Sequence, residues 1–313
     1  MSAFFCYLSV KKQNTIMKRV ILSLLLCLFF LPSAFAQEAE TLPSVEQLKA
    51  ANDSLLAEAY VLYLFEKSAW VLEDVMTDSK PTKSAEIAGW FPLGDDNDEN
   101  IIKGIFFNGE KTKALFESTL NFETGVASGK EVDRDLLPEE IEIIDTREKA
   151  LLAVRTLDPD NLPSRPQECT FNTEIVRLDE DLYRVYWMLG TAQRGIIPFG
   201  CDFSYDCDSE GNVKAFRRYH KTYIPAPIKM DNGSPVLYAV HSHLSFCPLI
   251  APTDIALFLL YGHEAGMSSF KVLSTAYNCV FMFDPDNYEI SIEPIGGIHQ
   301  ELYDVTVGTP KNQ

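Results

Sequence analysis

Residues 236–262 read VLYAVHSHLSFCPLIAPTDIALFLLYG, and this stretch decides how the rest of the chain is interpreted. It begins as an apolar strand, passes through a short loop and enters an apolar helix whose first turn carries Asp254. Residues two apart in a strand point to the same face, so we expect His241 and His243 to lie side by side. Two neutral imidazoles and one carboxylate leave the fourth position of a tetrahedral zinc ion open, as in catalytic sites. The stretch therefore predicts a zinc site formed by these three residues.

The spacing of the three residues also matches a known motif. His241 and His243 are separated by one residue, and ten residues lie between His243 and Asp254. The pattern resembles the JAMM motif of the JAB/MPN metalloprotease superfamily, which reads His-x-His, seven residues, then Ser-x-x-Asp. The resemblance covers residues 181–289 and implies a divergent or degenerate JAB/MPN-like domain, here in a chain that the N-terminal pattern described below predicts to be an exported protein of bacterial type. It implies zinc as the cofactor and a peptide or isopeptide bond as the substrate.

The chain departs from the family pattern at three places. Leu244 stands where the family often has proline, and Ala251 replaces the serine that helps to hold the oxyanion. The catalytic glutamate of the family precedes an apolar run that ends in glycine. The analogous run here, YRVYWMLG, ends at Gly190, and the equivalent position falls near Tyr183 or Arg184. The resemblance therefore supplies the metal ligands but no general base.

Three residues are candidates for that base. Glu180 and Asp181 lie close to the expected position but out of register. His220 ends a predicted strand in RRYHKTYIP, where it could serve as an additional ligand, act as a proton carrier or lie on the surface. His263 follows Asp254 by nine residues and faces another side of the helix, which argues against it as a ligand.

The N-terminus predicts export. Met17 opens a basic segment, residues 20–31 are apolar, and Ala34-Phe-Ala36 is typical of a signal-peptide cleavage site. We therefore expect a signal peptide over residues 1–36, with Met17 as the start, and a periplasmic or secreted mature chain. The apolar run is too short to span a membrane comfortably, so no stable membrane insertion is expected after cleavage.

Charge limits the partners that the mature chain can bind. The formal net charge is −18, and all the charged residues within residues 1–36 are basic, so the mature chain is more negative still. Such a surface repels nucleic acid and anionic lipid. We expect a peptide or protein partner in the cell envelope or outside the cell. Five cysteines remain after residue 36, and their pairing stays open.

The order of the segments predicts an α+β protein. Residues 37–165 are expected to form a helix-rich N-terminal region, with helices near 44–75 and 138–155 and short strands near 87–91 and 101–107. Residues 166–313 are expected to form the JAB/MPN-like mixed-sheet α-β-α domain, with the strand of His241 and His243 inside the sheet. Strands are predicted near 170–177, 182–189, 195–205 and 213–219, which places Cys201 and Cys207 along one strand.

Three functions are compatible with these features. The first is an exported zinc-dependent peptidase or isopeptidase with an incomplete catalytic set. The second is a non-catalytic periplasmic or secreted binding module on the same fold, which the departures at Leu244 and Ala251 favour. The third is an unrelated exported α+β protein in which the histidines are structural.

Overall fold

The computed structural model describes residues 43–95, 98, 100–191 and 193–295. The predicted signal peptide lies outside these residues. The helices of the described part are α1 (Val45–Ser79), α2 (Pro138–Leu152) and α3 (Pro252–Leu257), and α3 continues as a π-helical segment (Phe258–His263). Within the described part of the chain, no helix has the length and apolar character needed to cross a membrane.

Fourteen strands make up the sheets of the described residues. They are β1 (Ile87–Gly94), β2 (Ile101–Asn108), β3 (Lys113–Asn121), β4 (Ala127–Asp135), β5 (Cys169–Asp179), β6 (Leu182–Thr191), β7 (Ile196–Gly200), β8 (Phe203–Cys207), β9 (Val213–Arg218), β10 (Tyr223–Pro227), β11 (Tyr238–His243), β12 (Ser269–Ser274), β13 (Cys279–Asp284) and β14 (Glu289–Pro294). The α+β class predicted from the sequence is therefore confirmed.

The strands form four separate sheets. Strands β1 to β4 make an antiparallel meander, and a second antiparallel sheet has the order β5-β6-β8-β9. Strands β7 and β10 form an antiparallel pair. The last sheet has the order β11-β12-β13-β14, in which β11 and β12 are parallel and the other pairs are antiparallel. The chain crosses from β11 to β12 through α3, so this unit carries both the histidine pair and Asp254.

Helix α1 connects the two halves of the molecule. It begins with a capping box in which the hydroxyl of Ser44 accepts from the N–H of Gln47 at 3.3 Å, and the Gln47 side chain accepts from the N–H of Ser44 at 2.8 Å. The first half of α1 buries Leu48 and Leu56 in the core of the β11–β14 sheet. Its second half buries Leu72 against the meander.

The sequence missed two strands of the N-terminal region. Helices α1 and α2 and strands β1 and β2 lie close to their predicted positions, but the region also contains β3 and β4. Strand β4 reads ASGKEVDRD and forms the edge of the meander, where most of its side chains are exposed. A polar edge strand has no apolar alternation, so its sequence gives no strand signal.

The strand predicted near 195–205 is in fact two strands in two sheets. Strand β7 ends at Gly200 and β8 begins at Phe203. The backbone turns between them, because Gly200 and Cys201 have φ values of 88° and 53°, in the left-handed region. Cys201 and Cys207 therefore do not lie along one strand. The turn also places Asp202 immediately before β8.

Strand β11 lies at the edge of its sheet, whereas the sequence predicted it inside the sheet. Its alternation is nevertheless as expected. Ala239 and His243 are buried, while Ser242 between His241 and His243 is exposed. The strand therefore presents both imidazoles to the interior while its outer edge has no strand partner among the described residues.

Candidate metal centre

His241 and His243 lie side by side on the inner face of β11. Their rings are stacked, with centroids 5.0 Å apart and planes 16° from parallel. Their Nε2 atoms are 2.9 Å apart. Both therefore offer the same ring nitrogen to one point, as the strand alternation predicted.

Asp254 reaches the same point from the first turn of α3. Its Oδ2 lies 3.2 Å from Nε2 of His243, and its Oδ1 lies 3.4 Å from Nε2 of His241. Oδ2 also accepts a hydrogen bond from the N–H of Ala251 at 3.2 Å, which fixes the carboxylate at the helix start. Oδ1 is buried and has no hydrogen-bond partner in the described part of the chain. An unpaired buried carboxylate oxygen beside imidazoles fits a metal ligand.

His220 is the fourth member of the cluster. Its Nε2 lies 2.8 Å from Nε2 of His243 and 3.8 Å from Oδ1 of Asp254. The residue is only 5% exposed, so it is not the surface histidine that was one of the alternatives. It lies two residues beyond the end of β9, and its position completes a set of three imidazoles and one carboxylate.

Asp202, which the sequence analysis missed, holds His220 in place. The hairpin of β8 and β9 brings the two together, because the N–H groups of Tyr219 and His220 donate to the carbonyl of Asp202 at 3.1 and 3.3 Å. The Asp202 side chain is fully buried, and its Oδ1 accepts from Nδ1 of His220 at 2.6 Å. Its Oδ2 accepts from the hydroxyl of Thr253, the residue before Asp254. In metal sites, the ring N–H of a histidine that does not face the metal commonly donates to a carboxylate, as Nδ1 of His220 does here.

The hydrogens on the Nδ1 atoms of His220 and His243 explain why a cation would stabilise the cluster. Nδ1 of His220 faces the Asp202 carboxylate, and Nδ1 of His243 faces the carbonyl of Leu249 at 2.5 Å. Both Nδ1 atoms must therefore carry the hydrogen, so in the neutral rings both Nε2 atoms are bare acceptors. Two lone pairs 2.8 Å apart repel each other unless a proton or a metal ion lies between them.

The pKa shifts of His220, His241 and Asp254 reflect burial and the charges within the cluster. Burial opposes charge on His220, but the carboxylates of Asp202 and Asp254 outweigh it and raise the pKa to about 9. Burial dominates at His241 and lowers its pKa. Burial alone would raise the pKa of Asp254, yet the charges of His220 and His241 hold it well below its usual value. The centre thus holds an ionised carboxylate that attracts positive charge.

The four side chains could together hold one metal ion. Their ligand atoms, one from each of His220, His241, His243 and Asp254, all lie within 4.8 Å of one another. Three nitrogens and one oxygen are ligands that zinc accepts in tetrahedral sites. The set has four protein ligands, whereas the sequence predicted three and an open position.

The other candidates from the sequence lie outside the cluster. Glu180 and Asp181 form the exposed turn between β5 and β6, where Asp181 accepts from the N–H of Ser209 at 2.8 Å. Because β6 pairs with β8, the turn lies beside Cys207 at the end of β8. Asp202 precedes the other end of β8, about 16 Å away along the strand. The structure therefore does not bring either acid to the metal centre as a base. His263 is exposed and also lies apart from the cluster, as expected.

Comparisons with known proteins add no family to this description. No family model matches the chain, and neither does any curated protein or solved structure.

Proposed function

We propose that the chain is an exported, zinc-stabilised binding module without hydrolytic activity. The observation that carries this proposal is the position of His220, whose Nε2 lies 2.8 Å from that of His243 and within the ligand set. A catalytic zinc site keeps one position for water, whereas a structural site is closed by four protein ligands. His220 fills the position that the three-ligand site would leave open.

Burial supports a closed site. His220, His243 and Asp254 are 5%, 2% and 0% exposed. Each comes from a different segment of the chain: the residues just after β9, the end of β11 and the start of α3. A metal ion bound there would tie the three segments together, and its binding free energy would add to the stability of the fold.

The remaining parts of the proposal come from the sequence. The basic, apolar and small-residue pattern at residues 17–36 supports export to the periplasm or the exterior. The spacing of His241, His243 and Asp254 supports a degenerate JAB/MPN-like domain with an α-β-α arrangement. The partner would be a peptide or protein, because the acidic chain repels nucleic acid and anionic lipid.

One observation favours a second candidate, a peptidase in which His220 is the general base. Nδ1 of His220 donates to Asp202 at 2.6 Å, which is how a carboxylate orients a basic histidine. In that case the metal would be held by the other three ligands and would polarise the scissile carbonyl. Asp202 would stabilise the charge that His220 gains with the proton.

Replacing His220 with alanine distinguishes the two candidates. Purified protein is analysed for zinc per chain, for the absorption spectrum of its cobalt-substituted form and for cleavage of a mixed peptide substrate. For a binding module we expect one zinc per chain, a four-coordinate cobalt spectrum and no cleavage in the wild type. The His220→Ala protein should bind the metal more weakly and show a changed cobalt spectrum, because a ligand is lost.

Asp202→Asn serves as the second variant, and it should weaken zinc binding by about 10- to 100-fold by loosening His220. Cleavage by the zinc-loaded wild type, with cleavage lost and zinc affinity retained in His220→Ala, would establish the peptidase instead. A folded wild type that binds no zinc would contradict both candidates.

A further inference from the structure

A groove lies between strands β10 and β11, beside the metal centre. The two strands are joined by a loop whose base is closed by a hydrogen bond from the N–H of Val236 to the carbonyl of Ile228 at 3.0 Å. Beyond this point the strands diverge, because β10 pairs with β7 and β11 pairs with β12. The groove has a volume of about 200 Å³ and is lined by apolar side chains, with His241 at one wall.

The two strands that border the groove differ in what their backbones offer. Both lie at the edge of their sheets. Strand β10 contains Pro225 and Pro227, which have no N–H group and protect an edge against further pairing. Strand β11 contains no proline, so it keeps the donors and acceptors that an added strand needs. Pairing in the groove is therefore expected on β11, with β10 as an apolar wall.

The size of the groove indicates the kind of ligand. Sites for small molecules usually have about 300 to 1,000 Å³. The groove is smaller and open along a strand, so it fits single apolar side chains of an extended peptide. Ile224, Ala226 and Tyr238 among its lining residues would contact such side chains.

The segment that contains β10 and β11 has a charge opposite to that of the whole chain. Between residues 213 and 253 the sequence has five basic residues and one acidic residue, Asp231, in a chain of net charge −18. Lys214 and Arg217 in this segment are paired with acids of β8 and the turn after it. Lys221 and Lys229 are exposed and have no ion-pair partner among the described residues.

A further lysine lies next to one of the residues that line the groove. The Nζ atom of Lys271 is 5.0 Å from the ring centroid of Tyr238, which lines the groove. Within the described residues Lys271 likewise has no ion-pair partner. Lys271 thus places a positive charge beside the apolar groove.

We infer that an extended peptide with acidic side chains binds this groove by adding as a strand to β11. Its apolar side chains lie between β10 and β11, and its carboxylates face Lys229 and Lys271. This inference rests on the proposed binding function and assigns its ligand class. His241 links the two sites, since it belongs to the metal centre and forms a wall of the groove.

The test compares two labelled heptapeptides, Thr-Val-Glu-Val-Glu-Val-Thr and the same peptide with lysine in place of glutamate. Fluorescence anisotropy with the zinc-loaded chain should give an affinity at least about tenfold higher for the glutamate peptide. Added salt should weaken this binding, because the lysines are exposed.

Two variants locate the site. Ala226→Trp fills the groove, and Lys229→Glu combined with Lys271→Glu reverses the charge of the two lysines that the proposal assigns to the peptide. Each should lower the affinity for the glutamate peptide by at least about tenfold. Lys49→Glu on α1 is the control, because Lys49 is also exposed and forms no ion pair within the described residues, and this variant should bind like the wild type.

Zinc content measured on the same samples separates this inference from the proposed function. Ala226→Trp with one zinc per chain and weakened peptide binding supports the inference. Zinc-loaded wild type that binds neither peptide, binds both equally, or binds as well after Ala226→Trp overturns it. A wild type without zinc that still prefers the glutamate peptide supports the groove and contradicts the metal centre alone.

Discussion

Two of the clusters of buried ionisable side chains in the described part of the chain respond to burial in opposite ways. In the metal centre three imidazoles surround one carboxylate. The second group consists of Glu66 on α1 and Glu174 on β5, which are 3% and 6% exposed. Glu66 accepts from the side-chain amide of Asn172 at 3.0 Å, while Oε2 of Glu174 has no hydrogen-bond partner in the described chain.

The charges within each group explain the difference. Burial raises the pKa of both glutamates, and the charge of Glu66 raises that of Glu174 further, although Arg147 acts against it. In the metal centre the opposite charges of the histidines overcome burial and keep Asp254 ionised. Burial alone therefore does not decide whether a carboxyl group is ionised, because the sign of the neighbouring charges also matters. The cluster around Asp254 is suited to binding a cation, whereas Glu66 and Glu174 are suited to staying protonated.

The largest effect is expected from breaking the metal centre with His243→Ala. His243 lies between the other two imidazoles, with its Nε2 at 2.8 and 2.9 Å from theirs. Loss of a direct ligand should reduce zinc affinity by more than about 100-fold, because even second-shell changes cost about 10- to 100-fold. Competition with a zinc-binding dye measures this. His263→Ala, which removes an exposed histidine, should leave the affinity unchanged, and equal loss in both variants would refute the assignment.

The next effect is the pH dependence of zinc binding. The pKa of His220 is raised to about 9 in the metal-free protein, because Asp202 and Asp254 outweigh the effect of burial. Protonated His220 thus stabilises the metal-free fold fully below its unfolded value of 6.5, and this contribution is lost as the pH rises through 9. Zinc must displace that proton, so its affinity should rise by about tenfold per pH unit across this window.

Titration calorimetry in buffers of different ionisation enthalpy measures the protons released. A zinc affinity that is the same at pH 6.5 and pH 8.5 would exclude His220 as a ligand. His220→Ala should have a smaller pH dependence than the wild type.

The smallest effect is expected from Glu174→Gln in the carboxyl pair. The raised pKa of Glu174 means that its stabilising contribution is complete below its unfolded value of 4.5 and is lost as the pH rises through the folded value of about 8. The variant cannot ionise, so its free energy of unfolding should rise relative to that of the wild type between pH 5 and pH 9. Urea unfolding at the two pH values measures the difference, and parallel profiles would show that Glu174 is not protonated in the fold.

The metal centre shows which parts of a site local sequence reveals. His241, His243 and Asp254 lie within one strand-loop-helix unit, so the strand period and the helix start were enough to bring them together. His220 and Asp202 reach the centre only because β8 and β9 form a hairpin whose end meets β11, and no local pattern encodes that contact. A signal for Asp202 did exist, since a charged residue interrupts the apolar run PFGCDFSY.

The fold follows the same rule. Long amphipathic segments such as α1 and α2 were predicted near their observed positions, because their apolar periodicity reports burial. Strand β4 is an exposed edge and was missed, and the turn at Cys201 split a predicted strand because a left-handed residue other than glycine is uncommon. The pairing of strands into four sheets depends on contacts between distant segments, which alternation within one segment does not specify.

Helix α1 also fixes the directions in which the buried leucines at its two ends point relative to each other. Leu48 and Leu56 face one core and Leu72 faces another, with Leu62 and Leu64 fully or almost fully buried between them. Each residue of an α-helix advances the side-chain direction by about 100°. A single-residue insertion between Leu56 and Leu72 would therefore rotate one of these apolar faces away from its core, while the other face stays packed. Length variation during the descent of this chain should be tolerated in the loops of the meander and excluded from the middle of α1.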